Sequence, residues 1–297
     1  MPLYGTELDR FIEPARARSQ LWRLALGLVV CAGVFAGLIG LAAGITAAVA
    51  GRSGFNAAIA AMTSGATPWA MLAVLGSFLA MAAGPMLAAR IVHRRPAGTL
   101  FGRAPRALRD FVRGTAVVAL IYAIALLVWS LLYDAQPGLP PMTWALFLLP
   151  ALVGLALQTG AEELLFRGYI LQQLAARFRS PLVWALLPSA LFGVLHFDAG
   201  RLGNTMAIWA VVATTLFGLM AADLTARTGS LGAAWGLHFG NNAFGILFLG
   251  TPGNLSGLAL FLTPYSAEEM AEAGTVPVLD VLFLTLAWWV TRRVCTR

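Results

Sequence analysis

The sequence predicts an all-α membrane protein, a polytopic helical bundle of about eight transmembrane helices. Of its 297 residues, 59% are apolar and only 11% are charged, and the mean hydropathy is +0.79. Soluble domains carry roughly 25% charged residues, so this composition excludes a water-soluble globule and a disordered chain. The apolar residues also form runs long enough to cross a bilayer, and arginines dominate several of the connections between those runs.

A helix needs about 20 largely apolar residues to cross the hydrocarbon core of a bilayer, which is about 30 Å thick. We interpret residues 1–114 as an N-terminal interfacial arm, two spans and a basic loop, and residues 115–297 as the helical core with the C-terminal span. A window of that length predicts spans at 21–49, 68–92, 115–133, 144–166, 182–197, 207–225, 231–250 and 276–291.

The arginines predict how the bundle is oriented. All 20 basic residues are arginines, and the formal net charge is +7. They gather in the N-terminal segment, in the second, fourth and sixth connections and in the tail, whereas the odd-numbered connections hold only Arg52 and Arg201. The positive-inside rule therefore predicts that both termini are cytoplasmic. The same pattern argues against nucleic-acid binding, and the loop at 91–114 is expected to contact anionic lipid headgroups.

Charged side chains interrupt the fourth span. An unpaired charge at the bilayer centre costs roughly 2.5–3.5 kcal/mol on insertion scales, so such residues are usually functional. Glu163 and Arg167 are four residues apart and are predicted to pair on one helix face. Glu162 is left without a local partner. The alternative is a charge cluster at an interfacial helix end.

Two histidines interrupt later spans. His196 follows Phe192 by four residues, and His238 lies one helical turn before Asn242. His238 and Asn242 can both donate to a common oxygen, although interhelical hydrogen bonding is the simpler explanation. Asp223 is interpreted as a helix-end residue and His93 as an interfacial residue.

Helix geometry predicts that these groups meet. A short connection joins spans four and five, so they are expected to form an antiparallel hairpin. Glu162 precedes Ser180 by nearly as many residues as His196 follows it. If span four continues as a helix to about Phe178, the two side chains are expected at similar heights. Gly168 is a possible break in that helix. His238 is expected at a compatible depth, so one cavity would hold the carboxylate and both imidazoles.

Three motifs on successive helices together resemble the CPBP family, the CAAX protease and bacteriocin-processing family of intramembrane endopeptidases, which includes the Rce1-type enzymes. The resemblance covers roughly residues 115–250. The motifs are Glu162-Glu163-xxx-Arg167, Phe192-xxx-His196 and His238-xxx-Asn242.

The resemblance implies an endopeptidase whose site opens toward the cytoplasmic side of the membrane. Glu162 would activate water together with His196, and His238 with Asn242 would stabilise the oxyanion. Glu163 and Arg167 occupy the remaining motif positions and would fix the helix and the cavity relative to each other. An arginine-only, alanine-rich and glycine-rich chain suggests a bacterial inner membrane, and the expected partners are membrane lipids and a membrane-associated peptide or protein substrate.

Several alternatives remain open at this point. The favoured glutamate mechanism needs no cofactor, but Glu162, His196 and His238 would also form an adequate zinc set of a metalloprotease, with one open position. Against zinc, the sequence lacks a His-Glu-x-x-His motif. No serine or cysteine is positioned with a base, so a covalent route is not expected. A proton-coupled transporter and a non-catalytic membrane adaptor are the other candidate functions.

Overall fold

The computed structural model describes residues 5–132, 134–253 and 255–296, and most of them are helical. The main helices are α1 (Gly5–Arg16), α2 (Leu21–Ser64), α3 (Pro68–Ile91), α4 (Ala104–Leu132), α5 (Pro141–Glu163), α6 (Gln172–Arg177), α7 (Leu187–Val194), α8 (Ala199–Thr228), α9 (Gly232–Ala243), α10 (Ala267–Ala273) and α11 (Thr275–Cys295). Shorter helical turns are a 3-10 turn at Ala97–Leu100 and π-helical segments at Leu164–Leu171, Leu182–Leu186 and Phe244–Phe248.

Three two-residue strands form a small sheet beyond the ends of α4, α5 and α9. They are β1 (Gln136–Pro137), β2 (Leu249–Gly250) and β3 (Phe261–Leu262). β3 lies in the middle, antiparallel to β1 and parallel to β2. Because each strand is so short, this sheet ties loops together and does not form a layer of its own.

Five described helices are long and apolar enough to cross a membrane, and a shorter apolar helix lies at Leu182–Val194. Large apolar side chains such as Val49, Leu131 and Leu146 are exposed on their outer faces, which suits contact with lipid rather than water. The fold is therefore consistent with an all-α membrane bundle. The count of about eight spans and the cytoplasmic position of both termini stay predictions. The five helices are Leu21–Ser64, Pro68–Ile91, Ala104–Leu131, Pro141–Arg177 and Ala199–Thr228.

The first span is longer than the sequence predicts. The apolar window ends at 49, but α2 continues to Ser64 across a kink at Gly51, whose backbone is non-helical (φ 68°, ψ 178°). Glycine adopts this conformation at little steric cost, and the alanine-rich residues after it resume the helix. The predicted span ended shortly before Arg52, because a hydropathy window detects an uninterrupted apolar run and not the continuation of a helix.

The fourth span continues well beyond its apolar core, as predicted. α5, the π-helical segment Leu164–Leu171 and α6 form one helical segment over Pro141–Arg177. It ends where Phe178 turns to an extended conformation. Gly168 was expected as a possible break, but it lies inside the π-helical segment, where a Cβ would be 2.9 Å from the carbonyl oxygen of Leu100. This glycine allows close packing and does not interrupt the helix.

The N-terminal arm packs against the protein. α1 contacts α6 and α8 and buries its apolar side, including Phe11 and Ile12. The side-chain nitrogen of Gln172 donates to the carbonyl oxygen of Phe11 (2.5 Å), and Glu7 pairs with Arg106 (2.7 Å). The arm is thus fixed to one end of the bundle through both apolar and polar contacts.

His93, which was interpreted as an interfacial residue, is buried inside the protein. Its side chain is only 3% exposed. Because a carbonyl only accepts, Nδ1–H of His93 donates to the carbonyl of Arg18 (3.0 Å), and Nε2 accepts from the hydroxyl of Tyr169 (2.8 Å). Arg95 in the same loop is also buried and donates to Gln172. The beginning of the 91–114 loop is therefore part of the folded core, because local polar partners compensate for its burial.

The protonation of His93 is expected to make the stability of the protein depend on pH. Burial is the main cause that lowers the pKa of His93 to about 4, from the ordinary value near 6.5. The stabilisation from neutral His93 is complete above about pH 6.5 and is lost as the pH falls toward 4, because the unfolded chain takes up the proton first. Thermal unfolding in detergent should show a melting temperature lower by a few degrees at pH 4.5 than at 7.5, with a smaller fall in His93→Gln. Equal falls in the two proteins would contradict this role for His93.

Candidate active site

The paired charges of the fourth span lie where α5 changes into the π-helical segment. Nη1 of Arg167 donates to Oε1 of Glu163 (3.0 Å), so the predicted pairing is confirmed. Glu163 is fully buried and Arg167 nearly so. A π-helical turn inside an α-helix is unusual and frequently occurs at functional sites. The pair is buried inside the helix bundle and does not lie at an exposed helix end.

His238 on α9 completes a buried cluster with these carboxylates. Its Nδ1 lies 2.8 Å from Oε1 of Glu163, and its Nε2 lies 3.4 Å from Oε2 of Glu162. A carboxylate only accepts hydrogen bonds, so the contact at 2.8 Å places a proton on Nδ1 and directs Nε2 toward Glu162. Glu163 therefore orients the imidazole, and Glu162 is the acidic group beside its other nitrogen.

Polar atoms in this cluster retain unused hydrogen-bonding capacity. Oε2 of Glu162, Oε2 of Glu163 and Nη2 of Arg167 are all buried and have no hydrogen-bond partner among the described residues. An unsatisfied buried polar group costs about 1–3 kcal/mol, and more when it is charged. These atoms are therefore suited to bind water or the polar groups of a substrate.

Three phenyl rings surround the guanidinium of Arg167. The guanidinium carbon lies 4.9 Å from the ring of Phe192, 5.4 Å from that of Phe217 and 6.0 Å from that of Phe166. The ring of Phe217 also packs against His238 at 4.6 Å. Aromatic faces stabilise a buried cation, so the rings compensate in part for the loss of water around Arg167.

The resemblance implied that Glu162 activates water together with His196, but the two side chains are not in direct contact in the structure. Nδ1 of His196 lies 2.7 Å from the carbonyl oxygen of Phe192, one turn earlier, and no described contact joins His196 to Glu162. The ring of Phe192 packs against both imidazoles, 4.5 Å from His196 and 6.1 Å from His238. His196 follows the last turn of α7, so its ring turns back onto its own helix. The imidazole that contacts Glu162 is that of His238.

Asn242, which was expected to donate with His238 to a common oxygen, hydrogen-bonds to two other side chains. Its Nδ2 donates to Oε1 of Gln158 (3.0 Å), and its Oδ1 accepts a longer bond from Asn241 (3.4 Å). Tyr122 of α4 donates in turn to Asn241 (2.7 Å). The sequence analysis missed Gln158, although it lies one turn before Glu162 in an apolar span and therefore shares its helix face.

Close packing of α9 on α4 fixes the position of His238. A Cβ on Gly236 would collide with the carbonyl oxygen of Phe111, so the two backbones lie nearly in contact. Small residues spaced four apart allow this approach in membrane helices, and the sequence analysis did not identify them. The glycines of α9 that pack against α4 are Gly232, Gly236 and Gly240.

Adding a side chain at Gly236 is expected to separate the two helices. Gly236→Val should lower the free energy of unfolding by more than about 2 kcal/mol, because a packed helix pair cannot accept the added volume. Gly37→Val is the matched control, since a Cβ at Gly37 on α2 meets nothing within 4 Å. Thermal unfolding of both variants in detergent checks this expectation, and equal melting temperatures would contradict the packing described for α9.

The alternative zinc set does not come together in this structure. Across residues 5–132, 134–253 and 255–296, no group of three or more histidine, cysteine, aspartate or glutamate side chains is placed to hold a metal ion. Glu162 and His238 are neighbours, but no described contact joins His196 to either of them. The described residues therefore do not form the three-ligand site in this structure.

Two carboxylates, a guanidinium and an imidazole are buried together in the helical bundle, an arrangement suited to proton transfer. Residues 141–244 match the family model described as Type II CAAX prenyl endopeptidase Rce1-like. The resemblance to the CPBP family is thereby confirmed for this segment, which contains Glu162, His196, His238 and Asn242. The matched segment contains the buried cluster, and the apolar helices are consistent with a multi-pass membrane protein.

A curated relative is similar to about half of the chain. The chain is 31% identical over 140 residues to the uncharacterized protein YyaK of Bacillus subtilis (strain 168). The alignment covers 47% of this chain and 46% of that protein, so the chain spans about half the length of the curated relative it matches. No solved structure is significantly similar to the chain.

Proposed function

We propose that the protein is an intramembrane endopeptidase that hydrolyses peptide bonds in membrane-associated or lipid-anchored protein or peptide tails. The observation that carries this proposal is the buried carboxylate of Glu162, whose Oε2 accepts no hydrogen bond from the described residues and lies 3.4 Å from Nε2 of His238. A general base must be within hydrogen-bond reach of a water molecule, and an unpartnered buried carboxylate oxygen meets that requirement.

The charges of the cluster favour one mobile proton between Glu162 and His238. Two carboxylates are buried against one guanidinium, which leaves one negative charge without compensation unless a proton is present. With this proton on His238, Glu162 is ionised and acts as the base toward water. The protonated Nε2 of His238 then donates to the oxyanion that forms on the substrate, and Glu163 stabilises the imidazolium from the Nδ1 side.

Asn242 is proposed as the second oxyanion donor. A side-chain amide nitrogen carries two N–H groups, and Gln158 accepts from Nδ2 of Asn242. The other N–H remains for the substrate oxygen, and the bond to Gln158 holds the amide in a fixed orientation. We assign Gln158 as a positioning residue on this basis.

The two histidines are expected to differ in their contributions. His238→Gln should abolish cleavage, because it removes the imidazolium beside Glu162. His196→Gln should also reduce cleavage, by about 10²-fold, if the second ring orients the water or the substrate. Purified variants in lipid vesicles check this order by initial cleavage rates. An unchanged rate in His238→Gln would overturn the role proposed for His238.

Comparison of membrane-protein termini in cells tests the proposed function. Protein termini are identified by mass spectrometry in strains that carry the wild-type chain, Glu162→Gln or Asp110→Asn. Asp110 is a second buried carboxylate, paired with Arg106 and Arg109 outside the cluster, so its variant is a matched control. We expect new C-termini in the wild type and the control that are absent from Glu162→Gln. Identical termini in all three strains would contradict the protease and favour the transporter or adaptor.

A further inference from the structure

Asp223 joins the C-terminal ends of α8 and α11. Its Oδ1 accepts from Nε of Arg227 (2.7 Å), and its Oδ2 accepts from Nε1 of Trp288 (3.2 Å). Nε of Arg292 lies 3.8 Å from the same Oδ2. The interpretation of Asp223 as a helix-end residue that faces water is therefore incomplete, because it connects the two helices.

A cavity of about 270 Å³ lies beside this junction. Three arginines contribute to its lining, and Asp223 is the carboxylate paired with two of them. Arg293 makes no ion pair with a described acidic residue; its guanidinium stacks on Trp289 at 5.2 Å. Among the described residues, three guanidinium groups and one carboxylate therefore lie at this cavity. It is lined by Arg227, Trp289, Arg292, Arg293 and Thr296.

A second cavity of about 300 Å³ lies beside the first on the same turns of α11. The two cavities share Trp289 and Arg293, and the second adds Val290 and Val294. Trp289 is 47% exposed at their junction. Together they form one groove with a cationic end and an apolar end, which we call the α8–α11 groove.

We infer that the α8–α11 groove binds an anionic phospholipid. The arginine end would hold the phosphate of the headgroup, since guanidinium groups bind phosphate through several hydrogen bonds. The apolar end would hold the first part of an acyl chain along Trp289, Val290 and Val294. A soluble phosphate would use only the first end, so the continuous apolar lining favours a lipid. Basic pockets between transmembrane helices bind anionic headgroups in this manner.

Native mass spectrometry of the full chain in detergent tests this inference. The purified protein is mixed with phosphatidylglycerol or phosphatidylcholine of the same acyl length. We expect phosphatidylglycerol to be retained preferentially by the wild type. Removing two arginine charges in Arg292→Gln/Arg293→Gln should weaken its binding by roughly 10- to 30-fold. The control Arg90→Gln/Arg177→Gln removes two exposed arginine charges elsewhere and should bind as the wild type does.

A single variant and a crosslinking experiment test the inference if the double variant does not fold. Arg293→Gln alone should stay folded, because Arg293 makes no ion pair with a described acidic residue. It should weaken binding by a smaller factor, because it removes one arginine charge and not two. A photoactivatable phosphatidylglycerol should crosslink to the wild type within residues 288–294. Equal retention of the two lipids, equal losses in the test and control variants, or crosslinks confined to other segments would each overturn the inference. Equal binding of glycerol phosphate, which lacks acyl chains, would overturn the assignment to a lipid.

Discussion

Replacing Glu162 by glutamine is expected to reduce peptide hydrolysis by about 10²- to 10⁴-fold while the protein stays folded. The amide has nearly the same shape as the carboxylate but cannot take a proton from water. The buried cluster also loses one negative charge, so the variant should be no less stable than the wild type. Initial cleavage rates and thermal unfolding, measured on the same preparation in lipid vesicles, check both parts of this expectation.

Asp110→Asn is the control that separates the loss of a base from the loss of any buried carboxylate. Asp110 is fully buried and ion-paired, but it lies near the start of α4 and outside the Glu162 cluster. Its variant is expected to lose stability and keep its cleavage rate per folded molecule. Full turnover by Glu162→Gln would remove Glu162 from the mechanism.

Replacing Arg167 by methionine is expected to lower the free energy of unfolding by about 3–5 kcal/mol. The guanidinium is buried between Glu163 and three phenyl rings, so its removal leaves two buried carboxylates without a fixed positive charge. Methionine retains apolar volume in the aromatic surroundings and limits the cavity that would otherwise form. Thermal unfolding in detergent should show this loss, and yield should fall with it.

The double variant Glu163→Gln/Arg167→Met separates charge from packing. Neutralising Glu163 removes one of the two uncompensated carboxylates, so the double variant is expected to be more stable than Arg167→Met alone. It should still cleave poorly, because glutamine holds the imidazolium of His238 less well than a carboxylate does. If Arg167→Met keeps the wild-type melting temperature but loses cleavage, Arg167 has a direct role in the reaction and not the supporting one assigned to it.

Local spacing predicted the parts of the fold that depend on one helix. The pairing of Glu163 with Arg167 follows from a separation of four residues and is confirmed. The fourth helix continues to Arg177, which meets the condition on which the shared depth of Glu162 and His196 depended. The π-helical segment at Leu164–Leu171 was not predicted from the sequence.

Contacts between helices were harder to predict because they depend on rotation about each helix axis. Spacing placed His238 and Asn242 on one face, and both side chains do face α5, where His238 contacts Glu162 and Asn242 bonds to Gln158 one turn earlier. Spacing did not predict which side chain of α5 each of them meets. His196 turned to its own backbone because the last turn of α7 offers the carbonyl of Phe192. Two signals in the sequence would have helped: Gln158 one turn before Glu162, and the glycines spaced by four along α9.

The central claim is that Glu162 directs water onto a peptide bond within the membrane. It is tested most directly with a peptide that spans a cleavage position found in cells, incubated with the purified protein in vesicles made in ¹⁸O-labelled water. The account predicts that the wild type releases a product with ¹⁸O in its new C-terminal carboxylate and that Glu162→Gln releases it about 10²- to 10⁴-fold more slowly. Labelled product from Glu162→Gln at the wild-type rate would contradict it.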